Sequence, residues 1–279
     1  MPPASVFVKS LRDQRWQVVG FGLALAVMSS TAVFLWPSVR DTLQNFTLPT
    51  AVQAFLGTDL SIASAAGYLS ARYFGWVDIL LIVYAVIQGT GAIAGEESAG
   101  TMDLLLAQPI ARRQVVLQKA ATSVIGSAAI IAIGWLGFAL SISFVRIDVS
   151  LADTATASAN MLPITLLFFA LSLWAGAVAP SRGVASGIVI AFATAAYFIS
   201  TLANGVDSLR GLRYATPFYY YGSGASLVHG IQWWHVGLLL GSAAAFVALT
   251  VRTFERRDVS IGGASDVDLA GMLRRVVAR

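Results

Sequence analysis

Long uncharged stretches alternate with short charged clusters along this chain. The 24 residues between Arg15 and Arg40 carry no charge, and neither do the 26 residues between Lys119 and Arg146. A helix of about 20 apolar residues crosses the roughly 30 Å hydrocarbon core of a bilayer, so stretches of this length predict transmembrane helices. The pattern predicts an all-α membrane protein with a single transmembrane domain over residues 1–279 and six spans, at residues 17–36, 73–94, 120–145, 161–179, 184–203 and 234–251.

Helix-breaking residues set several of the predicted boundaries. Pro37 is expected to end the first span, and the turn Pro180-Ser181-Arg182-Gly183 makes the fourth and fifth spans an antiparallel hairpin. Residues 214–251 carry no charge, a stretch longer than one crossing requires. We therefore expect short re-entrant helices on the outer side before the last span, divided by the glycines at positions 222, 224 and 230.

The distribution of charge predicts the orientation of the chain. Thirteen of the 18 Lys and Arg residues lie at the N-terminus, around the loops after the second and fourth spans, and in the tail, residues 252–279. Positive residues near spans stay in the cytosol, so both termini are expected to be cytoplasmic in a multi-pass protein of the cell membrane. Residues 5–16 mix apolar and basic side chains, which predicts an amphipathic helix at the membrane interface ahead of the first span.

Composition excludes several other classes of protein. Only 11% of the residues are charged, less than half of the roughly 25% in a soluble domain. The net charge of +4 comes from residues scattered at the ends of apolar stretches, so we expect membrane lipid rather than nucleic acid as a partner. The chain has no cysteine, and its two histidines, His229 and His235, have no neighbouring carboxylates, so no metal site is predicted.

The loop after the second span, residues 95–113, contains signals for a short helix. Gly100 interrupts the preceding helix, Thr101 is suited to cap a new one, and Pro109 ends it. Residues 101–107 would span about 10 Å, too short to cross a bilayer. From the residues alone, this helix either docks its leucines into a cleft of another protein or lies on lipid, with equal weight.

The same loop resembles that of a known family. Its pattern Glu97-x-x-Gly100-Thr101-x-x-Leu104-Leu105-Leu106-x-x-Pro109-x-x-Arg112, followed by Lys119, is similar to the coupling-helix loop of type-2 ABC transporter permeases. Four further segments resemble the family in the right order: Leu48-Pro49, Gly67-Tyr68-Leu69, Thr216 to Tyr220 and Phe254 to Val259.

This resemblance implies a membrane permease subunit of an ABC exporter. The residues of the loop pattern, Glu97 to Arg112, would contact a separate ABC ATPase subunit, which would bind the ATP and Mg²⁺. The chain is not expected to be an enzyme or to bind a cofactor, because neither Lys9 nor Lys119 follows the Gly-x-x-x-x-Gly of a P-loop. The family further implies a second permease copy or a similar permease, and the apolar spans favour an apolar or amphipathic substrate.

Polar and aromatic residues give candidates for the transport pathway. Asp78 and Gln88 lie within the second predicted span, where each either lines a pathway or makes a structural contact. For Asp78 the structural alternative is water access or an ion pair with Arg72 or Arg146. The candidate outer gate, which an interfacial aromatic belt would also explain, is Phe218, Tyr219 and Tyr220.

Three other functions compete with that of a permease. One is a purely structural role in the membrane, against which the sequence contains no argument. A secondary transporter or channel would not need an ATPase, but such proteins place several polar groups near the midplane, where only Gln88 is a candidate. An intramembrane serine protease is excluded because Ser186 lacks the Gly-x-Ser-x-Gly spacing and no histidine lies within a span at a comparable depth to act as its base.

Overall fold

The computed structural model describes residues 4–44, 64–101 and 111–256. Regular structure in these ranges is entirely helical, and six of the helices are long and apolar enough to cross a membrane, which confirms the predicted fold class. The helices are α1 (Ala4–Gln44), α2 (Ala65–Ser98), α3 (Arg112–Ile142), α4 (Leu151–Val178), α5 (Arg182–Gly205), α6 (Pro217–Tyr221), α7 (Ser226–His229) and α8 (Trp233–Arg256).

Helix α1 is longer than the sequence suggested. It continues through Pro37, where the span was expected to end, and the hydroxyl of Ser38 donates a hydrogen bond to the carbonyl of Leu35 (2.7 Å) beside it. Membrane helices tolerate proline because neighbouring helices, side chains, water or small backbone adjustments satisfy the carbonyl that proline leaves without a partner. Residues 5–16, expected to form a separate interfacial helix, are the first turns of α1, and Val6 packs against Val115 of α3.

Helices α2 and α4 form the interior of the bundle. Most of their side chains are buried, whereas α1, α5 and α8 leave most of theirs exposed. The exposed side chains of α5 and α8 are large and apolar, for example Phe198 and Leu249. A continuous apolar outer surface of this kind fits lipid contact.

The pair α1 and α3 approaches closely at small residues. The hydroxyl of Ser29 donates to the carbonyl of Gly134 across the two helices (2.9 Å). A Cβ atom on Gly137 would lie only 2.6 Å from the carbonyl oxygen of Ala26, so no larger residue fits there without a shift of the backbone. Small residues and interhelical hydrogen bonds are what associate helices in lipid, where apolar side chains alone provide little driving force.

Helix α2 contains two wide turns, in which the backbone pairs five residues apart, at Ser70–Phe74 and Gly91–Gly95. Such turns are uncommon and are frequent at functional sites. Between them, Gly75–Thr90 is a regular α-helix. It packs against α4 at Gly89, where a Cβ atom would lie 2.6 Å from the carbonyl oxygen of Phe169.

The segment between α5 and α8 folds back onto the bundle. Gly222 and Gly230 both have positive φ angles (67° and 71°), which favour glycine, and they follow α6 and α7 respectively. Gly224 lies against the first wide turn of α2, since a Cβ atom there would come within 2.6 Å of the Ser70 Cβ. The side chain of Asn160 donates to the carbonyl of Tyr221 (2.9 Å) and fixes the end of α6 to α4. Short helices therefore occupy the place where the glycines predicted them.

The α1–α3 contact leads to a stability prediction. Replacing Gly137 with alanine should destabilise the protein by about 1 to 3 kcal/mol, the usual cost of overpacking, because the added methyl group overlaps the backbone of α1. Chemical unfolding in detergent micelles, followed by circular dichroism, measures this change. Gly20→Ala is the matched control, because nothing lies within 4 Å of a Cβ atom at Gly20. Equal effects of the two substitutions would contradict the close contact.

Candidate coupling site

Helix α2 ends in a turn built around glycine. Gly100 adopts a positive φ angle of 66°, and its backbone N–H donates to the carbonyl of Glu97 (3.0 Å). The N–H of Thr101 donates to the carbonyl of Glu96 (3.0 Å). The last carbonyls of the helix are thereby paired, as in a left-handed helix C-cap, and the chain turns away from α2.

Glu96 joins three helices at this end of the bundle. Its carboxylate accepts a hydrogen bond from the ammonium of Lys119 on α3 (3.0 Å) and lies 3.9 Å from the ammonium of Lys9 on α1. The hydroxyl of Thr101 also donates to this carboxylate. Only 9% of the Lys119 side chain and 17% of the Glu96 side chain are exposed, against 52% for Lys9. The inner pair is thus shielded from water, whereas Lys9 is a peripheral member; we call the three charged residues the Glu96 cluster.

Arg182, the first residue of α5, contacts the second wide turn of α2. Its guanidinium donates to the carbonyl of Ile87 (3.2 Å), and a Cβ atom on Gly91 would lie 3.3 Å from the same group. Four residues into α5, the hydroxyl of Ser186 lies 3.3 Å from that of Thr90. The small residues of the wide turn therefore leave room for the arginine, and α5 is tied to the same end of α2.

Arg112, at the start of α3, reaches the last turn of α8. Its guanidinium donates to the carbonyl of Phe254 (3.0 Å) and lies 5.7 Å from the centre of the Phe254 ring. The final carbonyls of a helix lack partners within the helix and carry its negative dipole end, so a cation is favoured there. An arginine at the N-terminus of α3 is itself unfavourable for that helix, and the contact with α8 offsets this cost.

These contacts fix both ends of the loop singled out by the sequence. One stem, at Thr101, is held by the Glu96 cluster. The other stem, which starts at Ala111, is held by the hydrogen bond from Arg112 to the end of α8. The four loop residues predicted to dock or to end the coupling helix lie outside the described residues, and their role stays a prediction: Leu104, Leu105, Leu106 and Pro109.

Comparison with known proteins identifies the family. A family model described as ABC-2 family transporter protein matches residues 7–259, which include all six spanning helices. The chain belongs to this family. It is therefore a multi-pass membrane permease of an ABC transporter, a non-enzymatic subunit of a family that typically works with an ATPase subunit. No curated protein matches the chain.

Glu96 is a functional residue that the sequence pattern does not single out. The pattern assigns Glu97 to the contact with the ATPase, which stays a prediction, whereas the carboxylate that holds the stem of the permease loop belongs to Glu96. A signal was present, because Glu96 and Lys119 lie near the facing ends of consecutive antiparallel helices and opposite charges there favour pairing. Lys119 was noted as following the loop pattern, but no partner was assigned to it.

The two polar residues of α2 have different surroundings in the permease. Asp78 is 1% exposed, and its carboxylate accepts a hydrogen bond from the N–H of Ile79 (2.9 Å). Of its two structural alternatives, water access and an ion pair, the ion pair does not form, since within the described ranges neither Arg72 nor Arg146 makes a salt bridge with it. Burial inside the bundle keeps the carboxylate away from both surface arginines.

Gln88 makes a contact between helices, which was the structural alternative to a place in the transport pathway. Its amide donates to the side-chain oxygen of Gln17 on α1 (2.5 Å). Gln17 is exposed, so this polar pair lies at the outer surface of the bundle rather than in its interior.

The structure separates the three residues of the candidate outer gate. Phe218 is 9% exposed and packs against the rings of Phe168 and Tyr197, at centroid distances of 5.9 and 5.5 Å. Tyr219 and Tyr220 instead stack around the exposed end of α8, and both contact the ring of its His235. Phe218 therefore belongs to the core of the bundle.

The Glu96 cluster predicts an unequal effect of its two lysines. Lys119→Met should destabilise the permease by about 3 kcal/mol, because it leaves a shielded carboxylate without its main partner. Lys9→Met should cost less than about 1 kcal/mol, since Lys9 is half exposed and more distant. Unfolding free energies in mixed micelles measure both.

A third variant tests the pairing itself. In the double variant Glu96→Gln with Lys119→Met, most of the lost stability should return, because no unpaired charge is left. If the double variant lost as much stability as Glu96→Gln alone and Lys119→Met alone lose together, a direct interaction would be contradicted.

Proposed function

We propose that this permease is the membrane half of an ATP-driven exporter and that residues 97–112 couple it to a separate ABC ATPase. Two copies, or one copy with a similar permease, form the transport path between them. Closure of the ATPase around ATP pushes on the coupling loop and shifts the spanning helices. The observation that carries this proposal is the fixation of both loop stems to the bundle.

The contacts give the loop a mechanical connection to most of the bundle. The Glu96 cluster joins the first stem to α1, α2 and α3, and Arg112 joins the second stem to α8. Arg182 adds α5 through the wide turn of α2 next to Glu96. A displacement of residues 102–110 is therefore passed to five of the six spanning helices through specific polar contacts.

ATP and Mg²⁺ belong to the partner subunit in this proposal. The chain contains no Gly-x-x-x-x-Gly-Lys sequence, which P-loop ATPases need to wrap the phosphates. The lysines occupy other roles, since Lys119 and Lys9 face Glu96.

Charge supports a cytosolic position for this end of the bundle. The Glu96 cluster, Arg112 and Arg182 lie at the same end as both termini of the helical bundle, and this end carries most of the positive residues. Both termini then face the cytosol, where an ATPase meets the loop.

The transported substrate is proposed to be apolar or amphipathic. The exposed faces of the spanning helices are predominantly apolar, and a path between two permeases would be built from such faces. Gln88 and Gln17 supply a polar pair on this outer surface, so Gln88 is a better pathway candidate than the buried Asp78. Export is the direction that the resemblance to exporters supports.

Replacing the loop leucines tests the ATPase contact. We expect the triple variant Leu104→Asp, Leu105→Asp and Leu106→Asp to lose its complex with the ATPase, because three charges cannot enter an apolar cleft. Co-purification of the tagged permease with candidate ATPases from the same cell, followed by an ATP hydrolysis assay, measures the loss. The control Ala99→Asp with Ala111→Asp adds charge at exposed positions on both sides of the leucines and should leave the complex intact. An intact complex in the leucine variant would refute docking by this helix.

Arg112 separates binding of the ATPase from coupling to it. Arg112→Ala should still bind the ATPase but reduce ATP-dependent transport of a hydrophobic dye in proteoliposomes by about tenfold, the value of one hydrogen bond to a charged group. Arg113→Ala removes the same charge from the exposed neighbouring position and should transport normally. If both variants lost transport equally, the charge of the loop and not its attachment to α8 would be responsible.

A further inference from the structure

A cavity of about 430 Å³ lies between α4, α5, α8 and the segment that precedes α6. This volume is typical of small-molecule sites. Along α8 the lining extends from Leu238 to Phe246, a rise of about 12 Å along the helix axis, so the cavity is elongated. At one end it is closed by the rings of Trp174 and Phe246, whose centroids are 5.8 Å apart.

The long side of this cavity opens towards the surface of the bundle. Helices α5 and α8 both pack on α4, but they hardly meet each other. Ile188 on α5 and Leu238 on α8 line the opening and are 55% and 42% exposed. In a membrane this opening faces hydrocarbon, so an alkyl chain can enter from the side without crossing water.

The other end of the cavity is polar, and an arginine lies beside it. Tyr214, Thr216 and Tyr220 line it, and the hydroxyl of Tyr220 donates to the carbonyl of Tyr214 (2.8 Å). The guanidinium of Arg213 lies 5.0 Å above the ring of Tyr214 and 5.2 Å above that of Tyr219. Arg213 also donates to the Tyr214 hydroxyl (3.0 Å), which lowers the pKa of this phenol. A cation is thus held against one of the tyrosines that line this end of the cavity, although Arg213 itself is not part of the lining.

We propose that this cavity binds one acyl chain of an anionic phospholipid, with the phosphate beside Arg213. The apolar walls fit the chain, the opening between α5 and α8 admits it from the bilayer, and an arginine is well suited to contact a phosphate. The site lies away from the coupling loop and does not depend on the exporter role.

Photo-crosslinking to lipid vesicles tests the proposal. The whole permease is reconstituted in phosphatidylcholine vesicles that contain phosphatidylglycerol with a diazirine on one acyl chain. Mass spectrometry of the illuminated protein should place the crosslink on α4, α5 or α8 residues of the cavity. Ser242→Phe, which fills the cavity, should abolish this crosslink, whereas Ala244→Phe, at an exposed position of the same helix outside the cavity, should keep it.

The headgroup is tested separately. Arg213→Gln should raise the phosphatidylglycerol needed for half-maximal crosslinking by about tenfold, as expected for the loss of one contact with a charged group. The control Arg146→Gln changes an exposed arginine elsewhere and should have no effect. Crosslinking that survives Ser242→Phe, or that is equal with a phosphatidylcholine probe, would overturn the proposal. A third result would also overturn it. If the parent protein gave no lipid crosslink and Ser242→Phe changed the number of subunits, a second copy of the chain would occupy this face instead of lipid.

Discussion

Close contact between helix backbones at glycine is the interaction on which this bundle depends. Lipid tails are as apolar as leucine, so burial of apolar side chains provides little driving force for the association of spanning helices. At Gly137 and Gly89 the neighbouring backbones come near enough to exclude even a methyl group, and hydroxyls such as that of Ser29 form hydrogen bonds across the contact. These contacts place α1 on α3 and α2 on α4, and they determine which faces remain exposed.

The two pairs of helices also bring the charged ends of the chain together. Glu96 and Lys119 are 23 residues apart in sequence, and they meet only because α2 and α3 end side by side at one end of the bundle. Arg112 meets Phe254 across an even longer separation, because α3 and α8 share this end. Packing within the apolar region thus positions the polar contacts of the coupling loop outside it.

The spans could be predicted from sequence because hydropathy is a local property, and all six apolar stretches are long. The same holds for the outer glycines, since a positive φ angle at Gly222 and Gly230 depends mainly on neighbouring residues. Partners in space were not predictable in this way. Hydropathy leaves an ion pair with an arginine as one alternative for Asp78, whereas the fold buries this residue. Hydropathy also predicts a helix end at Pro37, although a membrane helix can pass through proline. Arg112 was identified from the loop pattern, but its contact with Phe254 requires knowledge of the helix arrangement.

Because α2 contains two wide turns, the number of residues in this helix determines which way its last side chains point. Each turn accommodates one residue more than a regular α-helix would, and one residue corresponds to a rotation of about 100° around the helix axis. The direction in which Glu96 points is therefore set by the turn at Gly91–Gly95. Loss of a single residue there would turn the carboxylate away from Lys119 while the face of Gly75–Thr90 that contacts α4 stayed in place. A change in residue number, with every side-chain type retained, would be enough to disconnect the loop from the bundle.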